Sequence, residues 1–338
     1  MPAGFNPIHA VSFGKKGCDD LRIAQRVAKV KGAKFHPIEI NAQNWLTDCT
    51  KGIWWTDGEC SVRQLQFISV FQTIQENQWF DFNLHGMGAG GVIGGDLLFK
   101  PEDFVKKYLE KRLGINYFII GESNKALIER YCEYFNSIDK NPHILCLDNR
   151  NRSFGIRAAK LNQFLGIENR FPFVANSIQE LIYAVPNETK QNNRLYEIML
   201  LEFFPGFYKK IPWQTTGVPI GPPDLGRKIA EASKRFQNKL NNKLKRLGMN
   251  IESKSLSKGG YTANDYADHQ NWLRQEPSLS LFEEVLNNPS ALYAEYVSKP
   301  EIVKLWKHHL QGEDMSDKLC RIFTVEIWLQ QVLEGNYR

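Results

Sequence analysis

Residues 8–40 read IHAVSFGKKGCDDLRIAQRVAKVKGAKFHPIEI, and the fold turns on this stretch. Ile8–Phe13 is an apolar run rich in β-formers that stops at Gly14, which predicts a strand. Asp19 and Asp20 then precede Leu21, Ile23, Ala24, Val27, Ala28 and Val30. Apolar residues at helical spacing behind an acidic first turn predict a helix, ended by Gly32. Phe35–Ile40 alternates as a second strand. A strand, a helix and a strand in so short a span favour two parallel strands joined by a right-handed crossover.

Outward from this unit, Asn41–Cys49 is expected to form a short helix and Trp55-Thr56-Asp57-Gly58 a tight turn. Ser61 is expected to N-cap a helix that runs to about Asn77. Trp79–Leu84 reads as a third strand of the same sheet. It leads into Gly86-Met87-Gly88-Ala89-Gly90-Gly91-Val92-Ile93-Gly94-Gly95. In parallel sheets, ligands bind beyond the carboxyl ends of the strands, where Gly14 and the loop from Gly86 are both predicted. Dense glycine lets backbone N–H groups approach and cradle a phosphate; it also serves a tight turn packed on a helix. The loop is neither a G-x-G-x-x-G fingerprint nor a P-loop. From Pro101 onward helices dominate: Glu102–Leu113, Ser123–Phe135, Asn176–Ala184, Arg194–Leu201 and Ser316–Leu333. The last carries Leu319, Ile322, Phe323, Ile327 and Val332 at helical spacing. A soft boundary is placed near Lys100, and a linker at Gly217–Gly226 within the Pro/Gly-rich stretch Pro205–Pro223.

Composition fits a globular chain: 338 residues, 42% hydrophobic and 24% charged, enough to bury a core without disulfides or metals. Cys18, Cys49, Cys60, Cys132, Cys146 and Cys320 form no C-x-x-C pair, which excludes a zinc ribbon or thioredoxin-type motif and predicts reduced thiols in a cytoplasmic protein. Met1–Ala10 lacks the features of a signal peptide, and no apolar run reaches the roughly 18 residues of a membrane span. Part of the net charge of +6 lies in Arg227–Leu247. There Ile229, Phe236, Leu240, Leu244 and Leu247 share one helical face. The rest carries Lys228, Lys234, Arg235, Lys239, Lys243, Lys245 and Arg246. This is an amphipathic helix packing with a solvated basic face, or a contact for a phosphate-rich surface. Phe236 alone interleaves the charges, so nucleic acid is not the expected partner.

Several segments, in order, resemble the synthetase domain of the asparagine synthetase family. Ala10-Val11-Ser12-Phe13-Gly14 is similar to its Ser-x-Gly strand, and Asp19-Asp20 with Ala24 and Val27-Ala28 to its D-E-x-x-x-A-x-x-V-A helix. His36 stands where the family has a histidine near the next strand. Ser61-Val62-Arg63 resembles its T-x-x-R segment, and Leu84-His85-Gly86-x-Gly88 with Gly94-Gly95 the frame of S-G-E-G-x-D-E-x-x-G-G. Gly166-Ile167-Glu168-Asn169-Arg170-Phe171-Pro172-Phe173 resembles G-V-E-x-R-x-P-F-L-D. Glu180-Leu181, Pro186 and Lys190 follow its L-P-x-x-x-K helix, and Glu326-Ile327-Trp328-Leu329 its L-E-x-W. The resemblance covers most of residues 8–205 and the last helix. It implies an adenine-nucleotide α-hydrolase type of parallel α/β sheet in residues 1–204, with a Pro/Gly linker and C-terminal helices packing on it in 205–338. It also implies ATP with Mg²⁺, a small-molecule carboxylate substrate that is adenylated and then amidated (aspartate to asparagine in the parent family), and nucleotide contacts at Phe13, Gly14, His85 and Gly86. Arg63, Lys209 and Lys210 would be phosphate or substrate contacts.

The sequence departs from the family at four places. Its pyrophosphate loop, S-G-G-x-D-S, is expected before Ile8, where only seven residues stand; a first strand and loop are therefore missing from the expected sheet. The glutaminase domain is also missing, so the chain is expected to be a fragment or a truncated product that works with an upstream segment or a separate glutaminase. The catalytic glutamate of S-G-E-G-x-D-E falls on Met87 and its acidic pair on Gly90 and Gly91, none of which can ligate a hard cation or move a proton. No metal ligand is therefore predicted. His85 could bond phosphate or simply pack. The aspartate of P-F-L-D falls on Ala175. The phosphate-loop lysine has no clean counterpart: Lys209 and Lys210 are nearest, and a solvated face is the default for such a pair. Glu168 and Arg170 read first as a structural ion pair. The expected function is an asparagine synthetase-like amide-forming ligase, incomplete in this chain. The alternative is a diverged paralogue acting as a binding or regulatory module.

Overall fold

A computed structural model describes residues 8–80, 82–86, 166–190, 193–213, 218–220 and 266–335, with the isolated helical positions Glu129, Arg130, Glu133, Ile229 and Ala232. These residues form a mixed α/β structure, mainly helical, with two short parallel two-stranded sheets. Strand β1 (His9–Gly14) pairs in parallel with β2 (Lys34–Glu39), His9 opposite Lys34 and Gly14 opposite Glu39. Each strand lies within one residue of its expected span. Helix α1 (Asp19–Lys31) joins them. Its first turn holds Asp19 and Asp20, and Gly32 caps it at φ 71°, with its N–H on the Ala28 and Lys29 carbonyls. A left-handed residue is what glycine tolerates at a helix end.

The third strand corrects the sequence reading. Strand β3 spans only Phe82–Leu84 and pairs in parallel with β4 (Glu168–Arg170), not with β1 or β2. The reason lies in the residues just before it. Trp79 stacks on the His36 ring at 3.8 Å between centroids, and Trp79 and Phe80 pack on the core. Their side chains anchor the chain under β2 instead of extending it as a ladder. Asn41–Cys49 is likewise a series of turns. Asn44 Oδ1 accepts from the Asn41 N–H, Asn41 Oδ1 accepts from the Gln43 N–H, and Asn44 Nδ2 donates to the Glu39 carbonyl. Such local bonds compete with a helix, which starts only at α2 (Cys49–Trp55). Thr56–Gly58 then turns, with Asp57 and Gly58 both at positive φ. Ser61 opens a 3-10 turn, Val62–Gln64, without a side-chain cap, and α3 runs Phe67–Glu76. The Val62 N–H is taken by Thr324 Oγ1 at 2.8 Å, across 262 residues of sequence.

Beyond β4 come α4 (Asn176–Ala184), α5 (Asn187–Lys190), α6 (Arg194–Phe203) and α7 (Pro205–Tyr208). They are followed by α8 (His269–Trp272), α9 (Ser278–Asn287), α10 (Lys299–Leu310) and α11 (Ser316–Leu333). Helices α4 and α11 match their expected spans at both ends. On α11, Leu319, Phe323 and Ile327 are buried, whereas Val332 is exposed. One core joins α2 and α3 to the C-terminal helices. Trp45, Ile53, Leu65 and Ile68 are fully buried with Phe282, Leu286, Tyr293 and Phe323. Trp45 Nε1 donates to Ser278 Oγ at 2.8 Å, and Phe282 stacks on Phe323 at 4.3 Å. Each such side chain contributes about 1.5–3 kcal/mol through burial. The expected helix over 102–113 and most of those over 123–135 and 227–247, with most of the 217–226 linker, lie outside the described residues.

Gly52, on α2, lies against that core. A β-carbon there would fall 2.3 Å from Ile68 Cδ1 and 3.1 Å from Leu65 Cδ1, and both neighbours are fully buried. Gly52→Ala is therefore expected to destabilise by about 1–3 kcal/mol, despite alanine's better helix propensity. Urea denaturation checks this: an unchanged or raised midpoint would contradict the packing.

Candidate functional site

The carboxyl end of β1 is where the resemblance implies adenine. Phe13 meets Phe67 edge-on at 5.1 Å and Tyr266 at 6.0 Å. The Ile40 N–H donates to the Gly14 carbonyl at 3.0 Å. A β-carbon on Gly14 would lie 2.7 Å from Cys18 Sγ, 3.0 Å from the Tyr266 carbonyl oxygen and 3.2 Å from Tyr266 Cβ. The chain's own close approach thus requires glycine at this position. The Lys15 N–H donates to that same Tyr266 carbonyl at 2.7 Å, and Lys15 Nζ lies 4.0 Å from Asp268 Oδ2. Lys16 and Gly17 are exposed beside this closure, Gly17 at φ 75° with open space around it. Burial pushes the Cys18 thiol up, so it is not a reactive thiolate at neutral pH.

Asp268 leads into α8, whose first residue, His269, is buried. Its Nε2 lies 2.9 Å from Gln66 Oε1, a contact in which the ring nitrogen donates. Its pKa is lowered to about 4, first by burial and then by the Arg63 guanidinium. The segment over Gly14 is in this way fastened to α3 and to the C-terminal core.

The other predicted contacts are anchored elsewhere. The His85 N–H donates to the Arg170 carbonyl at 2.9 Å, and its ring meets Phe171 at 5.4 Å. Burial lowers its pKa, leaving a neutral imidazole at pH 7. Gly86 is exposed with no atom within 4 Å of its β-carbon position. Phe13 and His85 therefore pack on different segments. Arg63 Nη1 bonds Asp317 Oδ1 at 3.2 Å, and Asp317 Oδ2 accepts from Arg321 Nε at 3.1 Å. This Arg–Asp–Arg ladder ties the 3-10 turn to α11. Lys209 and Lys210 are exposed just after α7, which packs against α1. Glu168 and Arg170 form the expected ion pair at 2.9 Å, and the guanidinium lies over the Phe82 ring at 5.0 Å.

Met87, Gly90 and Gly91 lie outside the described residues. Their side chains offer no oxygen for Mg²⁺, and among the described residues no group of three or more His, Cys, Asp or Glu converges as for a metal ion. The donor set does not fit the implied magnesium. Sequence reasoning missed Tyr266, Asp268 and Cys18. Tyr266 and Asp268 reach this site across some 250 residues of sequence, which no local spacing signals, whereas Cys18 stands four residues from Gly14 and lies against its β-carbon position. No protein-family model matches the chain, and no curated protein is significantly similar to it. No helix among the described residues is long and apolar enough to cross a membrane.

Proposed function

We propose that this chain is an asparagine synthetase-like module of the ATP-dependent amide-ligase type. It would supply the adenine side of the site and be incomplete for adenylation by itself. The observation that carries this reading is the parallel β1–α1–β2 unit. Its strand ends in Ser12-Phe13-Gly14 and its helix opens with Asp19-Asp20, the positions that resemble the family's strand and helix. Phe13 and Gly14 would face the base, and the half-buried Lys15 with the exposed Lys16 and Gly17 would face anionic groups, as backbone N–H groups and lysines do at such strand ends. Met87, Gly90 and Gly91 supply no oxygen ligand for Mg²⁺. The carboxylate substrate would bind alongside. Buried free thiols at Cys18, Cys49, Cys60 and Cys320 support a cytoplasmic location.

A second reading, a non-catalytic binding or regulatory module, is favoured by one observation: Tyr266 already packs on Phe13 and Gly14. The two readings separate in an assay of aspartate-dependent pyrophosphate release with ATP, Mg²⁺ and ammonia. We expect turnover near zero from this chain, since each lost charge-stabilising contact costs about 10²–10³ in rate. Turnover in the ordinary range of about 1–10³ per second would contradict incompleteness and direct attention to Lys209, Lys210 and His85. Turnover that appears once a segment bearing S-G-G-x-D-S is supplied supports the ligase module. None under that condition favours the non-catalytic reading.

A further inference from the structure

Resting on the nucleotide-site reading, we propose that Tyr266–Asp268 is an intrasteric strap: it occupies the carboxyl end of β1 and must be displaced before a nucleotide can reach Gly14. Three contacts define it. The Tyr266 carbonyl accepts the Lys15 N–H at 2.7 Å, the donor nearest the end of the strand. The Tyr266 ring lies edge-on to Phe13. Asp268 stands 4.0 Å from the Lys15 ammonium, placing a carboxylate where an anionic ligand would seek a cation. The strap thus presents to β1 and its loop the three interactions a nucleotide would make there: an apolar face on Phe13, an acceptor on a backbone N–H and a negative charge near lysine. A ligand and the strap compete for the same groups. Apparent affinity is then reduced by the fraction of molecules in which the strap is seated.

The hold is of a strength a ligand can overcome. Tyr266 is more than one-third exposed, and the Lys15–Asp268 pair is long and partly solvated, a type of contact worth little. Behind the strap, His269 bonds Gln66 and Asp268 accepts from Asn271 Nδ2. Lifting Tyr266 therefore pulls on α8 and α3, and nucleotide binding becomes coupled to the C-terminal helices. The sign follows from reciprocity: whatever tightens α8 on Gln66 weakens nucleotide binding, and nucleotide loosens α8.

The test uses the full chain and ATP as the probe, with affinity read by calorimetry. Tyr266→Ala and Asp268→Asn each remove one competing group and are expected to tighten ATP binding, by up to about tenfold for the aromatic contact. A reversible tether provides the converse. Cys18 Sγ and Tyr266 Cβ both lie within 3.2 Å of the β-carbon position of Gly14, so Tyr266→Cys puts a second thiol in the neighbourhood of Cys18, and mass spectrometry establishes whether oxidation joins them. The oxidised protein is expected to bind ATP at least tenfold more weakly than the same protein after reduction. The comparison is internal to one variant, so altered folding cannot mimic it. ATP binding that is equal in wild type, Tyr266→Ala and both redox forms of Tyr266→Cys would overturn the strap while leaving the nucleotide site intact. Absence of ATP binding in all of them would overturn the nucleotide site and the strap with it.

Discussion

Glu326→Ala is expected to destabilise the protein by about 2–6 kcal/mol, since it leaves two backbone N–H donors without their acceptor at about 1–3 kcal/mol each. Glu326 is fully buried on α11. Its two oxygens accept from the Leu292 N–H at 3.1 Å and the Tyr293 N–H at 2.7 Å, and Oε1 also accepts from Gln330 Nε2 at 2.8 Å. The first two donors open the 3-10 turn Leu292–Glu295, so the carboxylate caps a turn from across the core. Alanine would leave those N–H groups buried and unmet, each at about 1–3 kcal/mol. Total stability of a domain is about 5–15 kcal/mol, so the variant should be partly unfolded near physiological temperature. Glu326→Gln keeps one acceptor and should cost less. Equilibrium urea unfolding of the three proteins checks the order. A loss below about 1 kcal/mol for alanine would contradict the capping role. Glu326 belongs to the segment resembling L-E-x-W, and the geometry gives that segment a structural task here.

Acid is expected to weaken the fold steeply between pH 6.5 and 4. His269 and His309 are both buried, and each has its pKa lowered to about 4, burial being the first cause. Arg63 opposes protonation of His269 while Asp268, Asp314 and Asp317 favour it; Arg274 opposes it at His309 while Asp314 favours it. The Met315 N–H donates to His309 Nδ1 at 3.2 Å, which requires that nitrogen to be bare. In the unfolded chain both imidazoles titrate near 6.5. Above that pH neither state holds the extra protons and the histidines leave stability unchanged. As pH falls the unfolded chain takes them up first, and stability declines until about pH 4. A shift of about 2.5 units is worth about 3 kcal/mol per histidine. Urea unfolding at pH 7.5, 6, 5 and 4.5 measures the slope, and His269→Asn should reduce it, the remainder coming from His309 and from His36 and His85, which burial also holds below the ordinary imidazole value. A flat profile across this window would show that the two rings are accessible to protons in the folded state.

What the sequence disclosed and what it hid divide along a physical line. The β1–α1–β2 unit, α4 and α11 were legible because local patterns determine them: apolar spacing, an acidic first turn and Gly32 at the left-handed cap. The ion pair of Glu168 and Arg170 was legible because the two stand two residues apart. Trp79 and Phe80 misled, since β-propensity describes a half-buried surface while the Trp79 ring is used to stack on His36. Asn41–Cys49 misled because its asparagines bond their own backbone. At the candidate site, Phe13 and Gly14 could be picked out by motif. Their partner Tyr266 could not, because it arrives from the far end of the chain. Arg63 was read as a ligand contact, and its guanidinium is found on Asp317.

The carboxyl end of β1 is proposed to receive an adenine nucleotide. Amide hydrogen exchange of the full chain with and without saturating ATP tests it most directly. One ATP is expected to bind per chain, with protection of the amides of Phe13–Gly17 and faster exchange in Ala267–Trp272 as the strap lifts. Absence of ATP binding at millimolar concentration, or protection confined to other segments with Phe13–Gly17 unchanged, would contradict it.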